Sequence, residues 1–381
     1  MPEKTLLAEG RIERVGTDNA IYHYANPNTD TDIKMENQSV PDYLSGITRF
    51  LDDLTGAETG AIDSISEIEV VGFKTVLSKD HYGVHELTEE VMDGMQFFMG
   101  IAGSHNGPYS QAIRQFQQIL PTAKLVGSFE TGFHQTIPLE RRLYGLPYEW
   151  YEKYGIQKMG YHGASHGYIA SRLNEIAPGG KYRAVSNHLG GSCSLCAIVD
   201  GKSVDTSFGM SLQTGILHAT RAGDTDTSLV PFLLSLGLSM EEIHEGLVKK
   251  GGMRGISGVS EDLRDIQDAA EKGHERANLA ISLFVTNIVR TIGSYYAEMG
   301  GLDYIVFTGG IGENSGIVRE KTCLALEHLG VSLDKEKNQA REKTERTIST
   351  ADSQVKVMVI PTNEEVEVAT RVYDYLHSND H

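Results

Sequence analysis

Apolar and polar positions along this chain repeat with two periods, one typical of strands and one typical of helices. An apolar run at residues 67–73 is followed by a helical pattern and then by a second apolar run at 124–129. Three strand patterns between residues 182 and 207 flank an Asp200-Gly201 pair, which is a strong hairpin signal. Because strands and helices alternate, we predict an α/β fold.

A glycine-rich segment lies between the apolar run 304–307 and an amphipathic stretch at 317–329. This order predicts a strand, a glycine turn and a helix. Glycine lets the backbone approach an anion, and the free N–H groups of a first helical turn point towards it. The segment is a candidate phosphate site, although many such turns carry glycines only to reverse the chain.

Other elements follow from the same patterns. We predict two strands within residues 6–24, a helix at 109–120, and before it a turn at 104–108 that contains a proline. The only tryptophan, Trp150, is interpreted as a packing residue.

Composition limits the partners and the location that we expect. A chain of 381 residues with a net charge of −18 suggests two domains and argues against nucleic acid or an anionic membrane as partner. Without an apolar run of membrane-spanning length or a signal-peptide core, we expect a cytoplasmic protein. Cys193 and Cys196 have redox or metal spacing, but they lack a second ligand pair, and plain thiols are expected.

Five basic or imidazole side chains fall at predicted turns beside glycine, serine or threonine: His105, His134, His162, His188 and Arg221. A lone histidine in such a place is more often packed or capped than catalytic. Five of them at predicted strand-end loops favour a site, because these loops face the ligand crevice of α/β folds.

Phosphoryl transfer needs fixed positive charge around three equatorial oxygens and a metal that bridges the nucleotide phosphates. Arg221 and His162 suit the first need, and the alternative for Arg221 is a surface ion pair with Asp224 or Asp226.

Two glutamates at strand ends, Glu130 and Glu364, suit the metal, because Mg²⁺ usually takes one or two carboxylates. The alternative for either glutamate is to cap a helix N-terminus, particularly for Glu364 after Asn363.

Seven stretches together resemble the acetate kinase family, and the likeness covers nearly the whole chain. They are residues 129–138, 160–166, 187–192, 205–209, 219–224, 307–315 and 359–365. The resemblance implies the two-domain, actin-like and ribonuclease H-like fold of the acetate and sugar kinase, Hsp70 and actin superfamily. It also implies a homodimer that uses ATP and Mg²⁺ for reversible phosphoryl transfer to a short carboxylate, acetate or propionate, giving an acyl phosphate.

The implied domains are an N-terminal domain, residues 1–131 with 365–381, and a C-terminal nucleotide-binding and dimerisation domain, residues 132–364. By resemblance, His162 and Arg221 stabilise the transition state, Glu130 has an active-site role, and Glu364 binds the metal. Lys74 and His105 match substrate-binding positions. The positions that match nucleotide-binding residues are His188, Leu189, Gly190, Gly191, Ser192, Asp262, Leu263, Arg264, Gly309, Gly310, Ile311, Gly312 and Glu313.

Several positions depart from the family pattern. Lys74 replaces an arginine that holds the carboxylate, and it offers a point charge instead of a planar fork. Glu130 replaces an aspartate and is one methylene longer. Phe73 replaces a histidine, residues 77–79 replace a His-Gly-Gly turn, and Leu263 replaces an aromatic residue.

The family's opening strand and its serine-rich turn are missing before Met1, so we expect the biological start to lie upstream, the alternative being a truncated chain. Two functions follow from matches and departures. The first is an acetate kinase-like phosphotransferase, and the second is a catalytically weak nucleotide-binding protein with a regulatory or interaction role. The transition-state cations favour the first, because a chain that only binds nucleotide does not need them.

Overall fold

The structure is a computed structural model that describes residues 3–378. These residues form two compact units. Unit 1 comprises Met1–Phe129 and Val368–His381, and unit 2 comprises Glu130–Glu367. Between residues 3 and 378, no helix is both long and apolar enough to span a lipid bilayer.

The elements alternate along the chain, as the pattern predicts. The strands are β1 (Glu9–Glu13), β2 (Thr17–Asn26), β3 (Thr31–Val40), β4 (Val70–Thr75), β5 (Val84–Glu86), β6 (Lys124–Phe129), β7 (Arg183–Leu189), β8 (Cys193–Val199), β9 (Lys202–Thr206), β10 (Tyr304–Thr308), β11 (Arg346–Thr347) and β12 (Lys356–Val359). The helices are α1 (Tyr43–Leu54), α2 (Glu89–Phe97), α3 (Met99–Ile119), α4 (Leu139–Arg142), α5 (Tyr148–Tyr154), α6 (Gly163–Ile176), α7 (Leu229–Ser235), α8 (Met240–Val248), α9 (Gly252–Ser257), α10 (Leu263–Glu271), α11 (Glu275–Met299), α12 (Gly309–Asn314), α13 (Gly316–Ala325), α14 (Lys335–Gln339) and α15 (Glu364–Ser378). Four 3₁₀ turns lie at Ile65–Glu67, Gly132–Thr136, Pro178–Gly180 and Glu327–Leu329.

Unit 1 contains two three-stranded sheets. The first is antiparallel, in the order β1-β2-β3, and every second residue of β2, from Ala20 to Tyr24, is buried. In the second sheet β6 is central, parallel to β4 and antiparallel to β5. Met95, Ile113 and Phe129 belong to the hydrophobic core that this second sheet shares with α2 and α3.

Unit 2 is organised by one six-stranded sheet in the order β11-β12-β10-β7-β8-β9. The adjacent strands β12, β10 and β7 are parallel to one another, while β8 is antiparallel to β7 and β9 is antiparallel to β8. Asp200 and Gly201 both have positive φ, 48° and 81°, as a two-residue turn of the primed type requires. The predicted hairpin is confirmed.

The sheet of unit 2 is covered on both faces. Phe284 and Ile288 of α11 belong to one hydrophobic core, and Ile169 and Leu173 of α6 belong to the other. All five residues of β10 are buried, which explains why this strand reads as an unbroken apolar run.

The predicted turn at 104–108 is wrong, because α3 continues through it and contains Pro108. The helix is interrupted earlier, at Ala102, whose φ and ψ are not helical. The Asn106 amide donates to the carbonyls of Leu77 and Met95, both at 2.9 Å. These contacts hold the segment in place, and local turn propensity does not decide its conformation.

Three further details differ from the predictions. Strand β3 was not predicted, since its inward side chains are only half-buried and its pattern is weak. The glycine turn after β10 is itself a short helix, α12, which begins directly at Gly309. Trp150 is 42% exposed, so its interpretation as a packing residue is wrong.

Candidate active site

The carboxyl ends of three parallel strands lie side by side in unit 2. In the sheet register, Thr308 is opposite His188, and Phe307 is opposite Val359. Gly309 has φ +74°, and a Cβ there would lie 2.8 Å from the Leu189 carbonyl oxygen. Only glycine allows this approach, so the segment after β10 contacts the last residue of β7, at the sheet edge where α/β folds place ligands.

Two charged side chains, Glu313 and Arg319, hold the segment Gly309–Asn314 in place through hydrogen bonds to its backbone. Glu313 accepts hydrogen bonds from the N–H groups of Gly309, at 3.0 Å, and Thr362, at 3.4 Å. Arg319, which is buried, donates to the carbonyls of Gly312 and Glu313, both at 2.8 Å. Burial lowers the pKa of Arg319 to about 10, so it remains a cation at neutral pH. Its charge is satisfied at the carboxyl end of α12.

His162 precedes the first residue of α6, and its backbone is left-handed, with φ +63°. Its Nδ1 lies 2.8 Å from the Ser194 hydroxyl on β8. Its ring packs against His188 at a tilt of 31°, with centroids 4.0 Å apart, and His188 Nδ1 lies 2.8 Å from the Ser165 hydroxyl. The two imidazoles are therefore held next to each other by separate serines.

The turn that carries His162 is anchored by two neighbours. His134 is fully buried, and its Nε2 lies 3.1 Å from the Tyr161 carbonyl oxygen. A Cβ on Gly163 would lie 2.0 Å from the Glu130 carbonyl oxygen, so that position requires glycine. The Ala164 N–H donates to Glu130 Oε1 at 3.3 Å, which places the Glu130 carboxylate at the first turn of α6.

Arg221 lies in the loop between β9 and α7 and donates from Nη1 to the Leu212 carbonyl. Burial lowers its pKa from the ordinary value, but a guanidinium stays charged. Asp224 accepts instead from the Gly215 N–H, and Asp226 from the Ser228 N–H. No ion pair joins Arg221 to either aspartate in the part of the chain that the structure describes.

His218 connects the Arg221 loop to β8. Its Nδ1 accepts the Cys193 N–H at 2.9 Å, and its Nε2 lies 3.1 Å from the Thr214 carbonyl oxygen, so the ring proton is on Nε2. Burial, and then the charge of Arg221, lower the pKa of His218 to about 3. Phe208 packs between the rings of His218, 5.3 Å away, and His162, 5.2 Å away.

These features can be compared with known proteins. A family model described as the acetokinase family matches residues 1–370. An acetate kinase from Shouchella clausii (strain KSM-K16) is 42% identical over 373 residues, covering 97% of this chain and 93% of that protein. The chain belongs to the acetokinase family.

Solved structures agree with this membership. Acetate kinase from Porphyromonas gingivalis matches with a TM-score of 0.87 and 36% identity, covering 99% of this chain and 95% of that one. A propionate kinase from Francisella tularensis subsp. tularensis SCHU S4 matches with a TM-score of 0.87 and 32% identity, covering 97% and 93%. The predicted family, the two-domain actin-like α/β fold and the enzyme class, a phosphotransferase with a carboxyl acceptor, are confirmed.

In this acetokinase, three of the predicted nucleotide-binding residues, Asp262, Leu263 and Arg264, lie at the start of α10. Asp262 accepts from the Arg264 N–H at 2.9 Å and pairs with its guanidinium. Leu263 is buried in the hydrophobic core. The Gln267 side chain donates to Ser315 Oγ at 2.7 Å, which connects α10 to the residue that follows α12.

Glu364 is the first residue of α15, five residues after β12 ends. Asn363 accepts the Val366 N–H at 3.0 Å, so the asparagine side chain caps this helix. Thr362, two residues before Glu364, donates its N–H to Glu313. The backbone that carries Glu364 is therefore tied to the glycine segment.

Lys74 and His105 belong to unit 1. Lys74 lies on β4 between Phe73 and Thr75, both buried, so its side chain leaves the opposite face of the sheet. His105 lies inside α3, and His188 lies inside β7, so the prediction that both occupy strand-end loops is wrong.

From the sequence alone, no role was assigned to several residues that hold the predicted site residues of this acetokinase in place. Ser194, Ser165, Phe208 and His218 contact predicted site residues. Ser165 and Phe208 lie within the family-like stretches but were assigned no role, and Ser194 and His218 lie outside those stretches. For Ser194 the available signal was a polar residue within the buried alternation of β8.

The Cys193 and Cys196 thiols are buried and unbridged, and burial raises the pKa of Cys193 to about 12, so it is not a thiolate at neutral pH.

Proposed function

We propose that this acetokinase transfers the γ-phosphoryl group of ATP reversibly to acetate or propionate, giving an acyl phosphate. The observation that carries the proposal is the grouping, at the carboxyl ends of parallel strands in unit 2, of the His162–His188 pair with the glycine segment 309–313. Phosphoryl transfer depends on positioning and on fixed donors and charge more than on covalent chemistry; this grouping supplies positioned groups, and the Arg221 guanidinium is the fixed charge.

We assign the roles as follows. His162 and Arg221 donate to the equatorial oxygens of the transferring group, with Glu130 beside them at the start of α6. Lys74 and His105 bind the carboxylate. The ATP or ADP contacts are assigned to His188, Leu189, Gly190, Gly191, Ser192, Asp262, Leu263, Arg264, Gly309, Gly310, Ile311, Gly312 and Glu313.

Residues 3–378 contain no cluster of three or more metal-ligating side chains, so a single carboxylate is the ligand that this chain would offer to Mg²⁺. One carboxylate suits Mg²⁺, which usually takes one or two together with waters and substrate phosphates. We assign Glu364 as the metal-binding residue. When bound, the metal neutralises charge on the nucleotide phosphates.

The proposal includes a cytoplasmic homodimer and the domain division at residues 131/132 and 364/365.

An apolar patch on unit 2 suits a second copy of the chain, because patches of this kind mark interfaces. It comprises Leu229, Phe232, Leu234, Leu236, Leu238 and Met240, of which Phe232 and Leu236 are 57% and 61% exposed. Changing Phe232 and Leu236 together to glutamate should give a monomer in light scattering, and an unchanged mass would place the interface elsewhere.

The test is ATP formation from acetyl phosphate, ADP and Mg²⁺ by the full chain and its Arg221→Ala variant. We expect activity in the parent and a loss of about 10²- to 10³-fold in kcat in the variant. Arg172→Ala removes an arginine whose ion pair with Glu345 lies outside the site, and it should keep full activity. An inactive, folded parent, or equal activity of both variants, would overturn the proposal.

One observation favours a second candidate, a weakly catalytic nucleotide-binding protein. The Glu130 carboxylate contacts the Ala164 N–H, as a helix cap would, and this is the alternative role that the sequence left open. If this second candidate is correct, calorimetry would show ADP binding that Arg264→Ala weakens. No ATP would then form from ADP and acetyl, propionyl or butyryl phosphate.

A further inference from the structure

Ser194 lies between two histidines. Its hydroxyl oxygen is 2.8 Å from His162 Nδ1 and 2.8 Å from His166 Nε2. The other nitrogen of His166, Nδ1, lies 2.9 Å from the Ser186 hydroxyl. Ser186, His166 and Ser194 are all fully buried. These four side chains form a continuous hydrogen-bonded chain that ends on His162, and we call it the serine–histidine chain.

The serine–histidine chain has two self-consistent directions. Burial, together with the charges of His134 and His188, lowers the pKa of His166 well below its ordinary value, so this ring is neutral and has one N–H and one acceptor nitrogen. In the first direction His166 donates from Nε2 to Ser194, and Ser194 donates to His162 Nδ1. In the second direction each bond is reversed, and His162 donates from Nδ1 to Ser194.

We propose that Ser194 is a positioning residue for phosphoryl transfer, which orients the His162 ring and sets the nitrogen that carries its proton. This inference rests on the proposed function. In the first direction a neutral His162 carries its proton on Nε2. The second direction suits the imidazolium, which donates from both nitrogens. Ser194 thus bonds to His162 Nδ1 in either protonation state, as donor or as acceptor, so the ring keeps its orientation and no bond of the chain is left unmade.

A second serine–histidine pair in unit 2 provides a matched control. Ser203 is also fully buried, and its hydroxyl lies 2.9 Å from His134 Nδ1. His134 Nε2 faces the Tyr161 carbonyl, which only accepts, so Ser203 must donate and this pair has a single direction. Ser203→Ala therefore removes the same group from an equally buried site, which is connected to His162 only through the Tyr161 backbone and makes no bond to its ring.

The first test measures ATP formation from acetyl phosphate and ADP by the full chain. Ser194→Ala should lower kcat about 10- to 100-fold with less than a twofold change in KM. Ser194→Thr keeps a hydroxyl and should recover most of the loss, and Ser203→Ala should lower kcat less than threefold. If the alanine variant does not fold, Ser194→Cys preserves the volume with a poor donor and should lose activity where Ser194→Thr does not. Full kcat in folded Ser194→Ala or Ser194→Cys, or an equal loss in Ser203→Ala, would overturn the inference.

A double-mutant cycle separates positioning from a general structural effect. In the His162→Ala background, Ser194→Ala should lower kcat by less than a further twofold, because its effect passes through His162. The same factor in both backgrounds would overturn the inference.

A measurement on the free protein is independent of activity. Nitrogen NMR of histidine-labelled protein should show a hydrogen-bonded signal for His162 Nδ1, and Ser194→Ala should shift this signal. An unshifted signal overturns the inference, whereas an inactive parent overturns only the proposed function.

Discussion

The predicted site residues of unit 2 and those of unit 1 differ in the kind of group that they present. His162 and His188 each have a ring nitrogen bonded to a buried serine, and both rings pack against each other. Lys74 carries its ammonium on a four-carbon stem from β4, with buried Phe73 beside it in the sequence. The two imidazoles are planar rings oriented by their serines and by each other, whereas the lysine assigned to the carboxylate is a point charge that imposes no plane on it.

This difference indicates where the chain has diverged within its family. Of the departures expected from the resemblance, Phe73, Lys74 and residues 77–79 lie in unit 1, whereas Glu130 and Leu263 lie in unit 2. We infer that the positions assigned to the acceptor have changed most, while His162 and Arg221 keep the expected residue types.

The largest expected effect comes from breaking the rigid side of the comparison. His162→Ala should lower kcat about 10²- to 10³-fold, because it removes a preorganised donor, and should change the KM for ADP little. His244→Ala, on the exposed surface of α8, is the matched control and should be fully active. Steady-state ATP formation checks both, and a KM effect in His162→Ala without a kcat effect would reverse the assigned role.

Removing the buried cation under the glycine segment should be the next largest change. Arg319→Met leaves the carbonyls of Gly312 and Glu313 without their donor, and we expect a loss of about 3 kcal/mol in the free energy of unfolding. Arg254→Met breaks only an exposed ion pair with Glu261 and should cost less than about 0.5 kcal/mol. Urea unfolding measures both, and equal losses would contradict a special role for Arg319.

The buried imidazoles should also make unit 2 sensitive to acid. The pKa of His218 is about 3 when folded and near 6.5 when unfolded, so below pH 6.5 the unfolded chain binds the extra proton. Stability is then complete above pH 6.5 and falls as the pH drops, by about 2 kcal/mol between pH 6.5 and 5 from this residue. Urea unfolding of His218→Gln should show a shallower pH slope, and His244→Gln should keep the parental slope.

The smallest expected effect concerns the lysine assigned to the carboxylate. Lys74→Arg introduces a planar fork that can bind a carboxylate through two hydrogen bonds, so the KM for acetate should fall about three- to tenfold with little change in kcat. Lys34→Arg, on the exposed strand β3, is the control. A higher KM for acetate with a lower KM for propionate would mean that Lys74 serves a different acceptor.

Patterns along the chain predict the parts of this molecule that local physics decides. The unbroken apolar run of β10, the Asp200-Gly201 hairpin and the strand β6 at 124–129 are confirmed because strand burial and turn chemistry are local properties. The continuation of α3 through Pro108 was not predictable, since it depends on Asn106 reaching Leu77 and Met95.

The same limit applies to the candidate site. Gly309 and His162 stand in recognisable motifs, but the partner of His162 is Ser194, 32 positions away on another strand. The short motif 309–314 predicts that a loop approaches an anion, but it does not reveal that Glu313 accepts the Gly309 N–H. Side chains that support a site from a distance in sequence become visible only when the sheet register is known.

The left-handed backbone of His162 also affects how this protein can evolve. The left-handed conformation costs a residue other than glycine or asparagine about 1 kcal/mol, so by this backbone term alone glycine would give a more stable fold at position 162. Selection for heat resistance and selection for turnover therefore pull this position in opposite directions. A thermostabilised variant obtained by screening for folding alone could therefore lose its imidazole to a glycine at position 162.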